Sequence, residues 1–300
     1  MRLRKCRIPA LIALVFSLFS CTALFAKDAA PPGWIVRTEP VNPVNGSPVL
    51  FQVTAPAALS SLHGKWSDHE LGFRFSAKCK CWYAIGGVDL NARPGKRVLS
   101  LEGQGSDKEH QRLTFSGAVT VSAKRYPSVT LSVAPEYVQP PEDVQARIEE
   151  EQALKKRLFS QESPESYWLG QFEPPVETGV SAVFGSARVF NGVKKTQHQG
   201  LDFHAATGTT VRATNAGTVL LARSLYYEGN CAVVDHGQGL LTFYMHLSEF
   251  KVKEGDKVER GQVVGKSGGT GRVTGPHLHF AVRWQGTYLD PATLLTLHPP

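Results

Sequence analysis

Beyond its first 26 residues the sequence has no apolar run long enough to cross a bilayer as a helix. It also lacks heptad bias and collagen-like repeats, which excludes the fibrous classes. Cysteine is scarce: five in 300 residues, with Cys6 and Cys21 inside the apolar N-terminal stretch. Cys79, Cys81 and Cys231 remain, an odd number, and no partners stand at the spacing of a thiolate zinc site. Cys79-Lys80-Cys81 reads either as a strained local disulfide in an oxidising compartment or as two small buried hydrophobes. Strong charge of one sign is absent as well. The formal net charge of +7 falls to +3 once the four cations Arg2, Arg4, Lys5 and Arg7 are set aside. So weak a basic balance suits an anionic polymer and gives no ground for a nucleic-acid partner.

What is present begins with those four cations. They precede a nearly unbroken apolar or small stretch from Ile8 to Ala26, and small residues at Ala23 and Ala26 favour cleavage before Lys27. Residues 1–26 are therefore expected to be a secretory signal. Leu18-Phe19-Ser20-Cys21 faintly resembles a lipoprotein cleavage box, but the apolar Ala23-Leu24-Phe25-Ala26 behind it argues against one. No stable membrane insertion is expected after cleavage. Export places the chain in the periplasm or cell envelope, ahead of secretion or lipid anchoring.

Twenty-eight glycines and 19 prolines favour many turns and a mainly β chain. Short alternating runs such as Pro48–Val53, Glu70–Phe75, Val98–Leu101, Val119–Val121 and Leu131–Val133 predict an immunoglobulin-like β-sandwich over residues 34–134. His63, His69 and His110 there sit among polar neighbours and read as surface residues. Pro140-Pro141-Glu142-Asp143 opens a linking helix over 141–159, with acids at its positive end and Lys155, Lys156 and Arg157 near its close. A second β unit spans 172–296. It carries an internal echo: Gly208-Thr209-Thr210-Val211 before Gly217-Thr218-Val219, and Gly255-Asp256-Lys257-Val258 before Gly261-Gln262-Val263-Val264. Two half-motifs facing each other predict a two-sheet β structure, a duplicated half-barrel. A carrier-domain reading of these repeats fails for want of a lysine at a hairpin tip.

The chemistry gathers in this second unit. In Gly275-Pro276-His277-Leu278-His279-Phe280 two histidines two residues apart share one face of a strand. Alone they also admit a reading as paired core histidines. Upstream stand His198-Gln199-Gly200-Leu201-Asp202 and Tyr244-Met245-His246-Leu247-Ser248. His198 and Asp202, four apart, return to one face of an extended segment. Asp202 between Leu201 and Phe203 is costly to bury unless it is coordinated or hydrogen-bonded. Two imidazoles and one carboxylate leave a fourth zinc position open for water, the catalytic pattern. Zinc brings the pKa of such water to about 7 and polarises a carbonyl. His246 and one member of the 277/279 pair then remain to move protons and face the oxyanion.

These three motifs, in this order, resemble the lysostaphin/LytM-type zinc metallopeptidases that cut peptidoglycan, over residues 172–292. The resemblance implies zinc ligands His198, Asp202 and His279 and catalytic histidines His246 and His277. It implies zinc-bound water attacking a scissile carbonyl in peptidoglycan stem peptides, on a two-sheet β fold with a groove. A catalytically silent module that binds or activates another wall hydrolase is the alternative; such modules usually lack metal ligands, and here all five positions are filled. Three departures stand out. His204 shares strand parity with Asp202 and is a candidate to line the site. Ala187 replaces an arginine expected on the Phe184-Gly185 element, with Arg188 beside it. His236, in a glycine-rich turn, is expected at the surface, and Cys231 in the core.

Overall fold

The computed structural model describes residues 33–106, 111–161, 163–192 and 194–300. The expected signal over 1–26 and His110 lie outside the described residues. Eight strands come first: β1 (Ile35–Glu39), β2 (Pro48–Thr54), β3 (Leu59–Trp66), β4 (His69–Gly72), β5 (Arg74–Ser76), β6 (Cys81–Gly87), β7 (Gly95–Gly105) and β8 (Arg112–Val121). They form two four-stranded antiparallel sheets, ordered β1-β2-β6-β5 and β4-β3-β7-β8. The sheets face each other across aromatic contacts, Phe51 on Trp66 at 5.1 Å and Trp34 on Phe115 at 5.8 Å between ring centroids. The alternating run Glu70–Phe75 is not one strand. The chain crosses between the sheets at Phe73, so β4 and β5 belong to different ones. Cys79 and Cys81 are joined by a disulfide at the turn before β6. Of the histidines here, His63 is exposed, whereas His69 is half-buried with its ring 4.9 Å from that of Trp284.

Strand β2 is buried on successive residues, Val49, Leu50 and Phe51. Alternating side chains point to opposite faces, so both faces of that sheet are covered. One is covered by the second sheet and the other by the C-terminal part of the chain. A Cβ on Gly87 would sit 2.6 Å from Leu289 and 3.1 Å from Trp284. The Arg74 guanidinium donates to the Trp168 carbonyl at 2.7 Å, and the Tyr83 and Trp168 rings lie 5.7 Å apart.

Beyond β8 the chain leaves these sheets. Strand β9 (Ser128–Leu131) pairs with neither; helix α1 (Glu142–Phe159) follows it. The C-terminal strands are β10 (Val180–Ala182), β11 (Ala187–Phe190), β12 (Lys194–Gln197), β13 (Leu201–Phe203), β14 (Thr210–Arg212), β15 (Gly217–Leu225), β16 (Gly229–Asp235), β17 (Leu240–Phe250), β18 (Lys257–Val258), β19 (Val263–Ser267), β20 (Leu278–Trp284) and β21 (Thr287–Leu289). A short helix, α2 (Pro291–Thr296), is capped by Asp290, whose side chain accepts from the Ala292 amide. Strand β9 runs parallel to β11, which pairs in turn with β12.

The remaining strands form one ten-stranded network along β10-β13-β20-β17-β16-β15-β18, with β14, β19 and β21 branching from it. The internal echo is expressed as reciprocal pairing. β14 of the first copy pairs with β19 of the second, and β15 of the first with β18 of the second. Long strand β17 pairs with β20 along Leu240–Met245 and with β19 along Leu247–Phe250, which turns the network over on itself.

The core of this unit includes one polar line. His236 is fully buried rather than at the surface. Its Nδ1–H donates to the Ala216 carbonyl at 2.7 Å, and its Nε2 meets the Thr242 hydroxyl at 2.8 Å. Thr242 bonds to the Tyr244 hydroxyl, which accepts from the Thr214 amide. Burial pushes His236 down to about 4. The unfolded chain, titrating near 6.5, takes up the proton first. Stability from this residue is therefore present above pH 6.5 and lost as pH falls toward 4. Urea denaturation in chelator from pH 7.5 to 4 should show a decline of which His236 supplies on the order of 3 kcal/mol. His236→Gln should flatten that part of the slope.

Candidate metal centre

Strand register brings the distant motifs together. Asp202 on β13 lies directly across from His279 on β20, and His279 lies across from Met245 on β17. Leu201 and Phe203, on either side of Asp202, are buried in the core, so the carboxylate turns the other way. His198 ends the β12 segment. Its amide donates to the Ser186 carbonyl, and its own carbonyl accepts from the Gly185 amide. Gly200 makes the sharp return from His198 to Asp202 tolerable: a Cβ there would stand 2.5 Å from His279 Nε2 and 2.6 Å from the Phe280 carbonyl.

Three donor atoms meet at the base of a groove of about 780 Å³. His198 Nε2 is 3.0 Å from Asp202 Oδ1 and 3.0 Å from His279 Nδ1, and His279 Nδ1 is 2.7 Å from Asp202 Oδ1. All three residues are buried. The His198 Nδ1–H donates to the Val183 carbonyl at 2.8 Å, so a neutral ring turns a lone pair toward Asp202. Two acceptors at 3.0 Å repel unless a proton or cation lies between them. Two imidazole nitrogens and a carboxylate oxygen in this arrangement fit a divalent metal of the zinc type. Burial alone would raise the Asp202 carboxyl, but the adjoining His198 and His279 imidazoles hold it well below the usual carboxylate range, so it stays ionised. Burial pushes His279 down to about 4, against the pull of Asp202.

His246 and His277 stand over this triangle. A bulge in β17 and a left-handed backbone at His246 (φ 62°) turn its ring into the groove, away from the core-facing Tyr244. Its Nδ1–H donates to the Thr270 carbonyl at 2.8 Å, leaving Nε2 as the free nitrogen. The Thr270 carbonyl can approach because residue 229 is glycine; a Cβ there would lie 2.3 Å from it. Burial, then the neighbouring His279 and His277, push His246 down to about 3, so it is neutral at pH 7. His277 precedes β20, bridged to Gly268, and its Nδ1–H donates to the Gly275 carbonyl at 2.8 Å. Its Nε2 is 3.8 Å from Asp202 Oδ1. The rings of His246 and His277 lie 4.9 Å apart. His204 is exposed and also borders the groove.

Sequence reasoning noted Arg188 without assigning it a contact and passed over Glu228 and Arg272. Arg188 on β11 donates from Nη2 to Asp202 Oδ2 at 2.5 Å and so holds the oxygen that the imidazoles do not. Glu228 accepts from the His246 amide through its carbonyl, and its carboxylate pairs with Lys155 of α1 at 2.5 Å. Arg272 lies on the loop between Thr270 and His277. The signal for Arg188 was its place beside Ala187, on a strand that pairs away from β13. If Arg188 fixes the carboxylate, Arg188→Met should lower affinity for a divalent metal roughly 10- to 100-fold and, by leaving the buried Asp202 one partner short, should also lower the metal-free melting temperature. Competition with a fluorescent chelator measures this.

Comparison with known proteins agrees with the geometry. Residues 196–291 match the model of peptidase family M23. The peptidoglycan DD-endopeptidase ShyA of Vibrio cholerae is 44% identical over 108 residues, 36% of this chain and 25% of that protein. The DD-carboxypeptidase/endopeptidase Mpg of Neisseria meningitidis serogroup B is 38% identical over 124 residues, 41% of this chain and 28% of that one. The chain thus spans about a quarter of the length of these curated relatives. A crystal structure of a candidate M23 peptidase from Pseudomonas aeruginosa aligns over 85% of this chain and 95% of its own, at 28% identity and a TM-score of 0.63. Residues 196–291 of this chain carry both the buried His-Asp-His triangle and the loop of His277, and through that segment the chain belongs to peptidase family M23, as a LytM-type metallopeptidase.

Proposed function

We propose that this chain is an exported zinc-dependent endopeptidase that hydrolyses peptide cross-links of peptidoglycan, working in the periplasm or cell envelope on stem peptides. The observation that carries the reading is the donor triangle of His198, Asp202 and His279 beneath two further imidazoles whose Nδ1 protons are already committed to backbone carbonyls. The parts of the chain follow: an export signal over 1–26, an immunoglobulin-like β domain over 34–134, a linking helix over 141–159 and the peptidase domain over 172–296. The Cys79–Cys81 disulfide supports an oxidising compartment. Among the described residues no helix is long and apolar enough to cross a membrane.

His198, Asp202 and His279 would hold the zinc. When bound, zinc supplies Lewis acidity, lowering the pKa of water to about 7 and polarising a carbonyl. The chain's own residues do the rest. His246 and His277 present Nε2 to the groove. Each is an acceptor while neutral, so one takes a proton as water adds to the scissile carbonyl. As an imidazolium it then donates to the departing amine, and the second ring stabilises the oxyanion when its Nε2 carries a proton. The depressed His246 basicity keeps that ring an acceptor across the neutral range. Backbone carbonyls fix both tautomers, so little reorganisation is needed at the moment of reaction.

Digestion of purified sacculi by residues 27–300 with zinc, beside a His279→Ala control, tests the reading. Mass analysis should find cross-linked muropeptide dimers falling to monomers with the intact chain only, and the masses name the bond. Zinc-loaded protein that leaves a range of sacculi unchanged would return the question to a silent module that activates another hydrolase.

A further inference from the structure

Arg272 has no part in the metal triangle or in fixing the two histidines, yet the structure holds it firmly. Its guanidinium carbon lies 4.8 Å from the centroid of the Phe190 ring and 4.8 Å from that of Tyr227. Its amide donates to the Tyr227 carbonyl at 2.9 Å. Both aromatic residues border the same groove as His246 and His277. A guanidinium held close to two aromatic rings has already lost much of its side-chain freedom.

The Arg272 donors are uncommitted. Among the described residues no carbonyl or carboxylate accepts from the guanidinium of the half-buried Arg272. Of the nearby charges, Arg188 is paired with Asp202, and Glu228 is paired with Lys155 through Oε1 while its Oε2 is buried without a hydrogen-bond partner. The loop that carries Arg272 is itself fixed. Gly271 (φ 77°) packs back to back with Gly229, where a Cβ on Gly271 would lie 2.3 Å from the Gly229 amide nitrogen. Thr270, two residues before Arg272, orients His246 through its carbonyl. Arg272 is thus held at a constant offset from the reacting centre.

We propose that Arg272 is a specificity-determining residue: it binds a free carboxylate that flanks the scissile bond of the peptide substrate and so sets the register of that bond over the metal triangle. The inference rests on the endopeptidase reading for its substrate class. A planar fork of donors matches a carboxylate with two parallel hydrogen bonds, and an amide, which is uncharged, makes a much weaker partner.

The test uses the zinc-loaded chain, Arg272→Gln and Arg272→Lys. The probes are a cross-linked stem-peptide dimer with free carboxylates, the same dimer fully amidated, and the corresponding uncross-linked tetrapeptide in both forms. The wild type should favour the free-acid dimer by roughly 10- to 100-fold in kcat/KM, mostly through KM. Arg272→Gln should erase that preference by losing activity on the free acid alone, and Arg272→Lys should keep part of it. Calorimetry with the tetrapeptides should show the same ranking without turnover. Equal use of both dimers by the wild type, or equal losses on both in Arg272→Gln, would overturn the assignment. If Arg272→Gln loses zinc or its fold, Arg272→Lys decides: a preference for the free acid that is reduced but not lost supports the site, and an unchanged preference or equal losses on both forms contradict it. A wild type that cuts neither dimer yet binds the acid tetrapeptide in preference, through Arg272, would sustain the carboxylate site and remove the hydrolase reading.

Discussion

The constraint on which the site depends is a carboxylate placed on a core strand. Asp202 sits between two buried apolar residues, with its side chain 6% exposed as a residue. An ionised carboxylate taken out of water costs several kcal/mol unless charges and donors replace its hydration. Here the replacements come from three separate segments: His198 from the turn before the strand, His279 from the strand across, and Arg188 from a different sheet. Asp202 therefore ties the local geometry of four segments to one atom pair. The same burial that makes the carboxylate expensive keeps His279 and His246 neutral, which is the state a metal ligand and a proton acceptor both require.

Around that point the fold supplies fixed carbonyls rather than flexible side chains. Val183, Thr270 and Gly275 each receive an Nδ1 proton, so three of the four imidazoles at the site have their tautomer set by backbone. The carbonyls belong to loops closed by tight glycine contacts, as at Gly229 and Gly271. The N-terminal part of the chain is not remote from this. Strand β9 extends the sheet that holds Arg188, and Val129 and Leu131 border the groove. Helix α1 reaches the same wall through Lys155 and Glu228, whose carbonyl holds the His246 amide.

The parts legible in the sequence are those whose signal is local. Period-two spacing put His277 and His279 on one face, and an acid between Leu201 and Phe203 announced a compensated charge. The glycine and valine echo foretold paired half-motifs, although which strand of one copy meets which of the other needed the structure. Non-local features were not readable. Arg188 is near Asp202 because β11 and β13 fold past each other, and nothing in the thirteen intervening residues encodes that. Leu131 alternates like a sandwich strand, but its partner, Phe190, lies in the second unit. His236 has a turn-like neighbourhood and was read as exposed. Its burial follows from long-range bonds to Ala216 and, through Thr242, to Tyr244.

The central claim is that one buried carboxylate and two imidazoles form a preorganised site for a single divalent metal. X-ray absorption at the zinc edge of the loaded protein tests it most directly. The account predicts one zinc per chain with light ligands only, nitrogen and oxygen at roughly 2.0–2.2 Å, two imidazoles in the outer-shell scattering, and loss of the signal in Asp202→Ala. A sulfur ligand, or one equivalent of zinc retained with the same spectrum in Asp202→Ala, would contradict it.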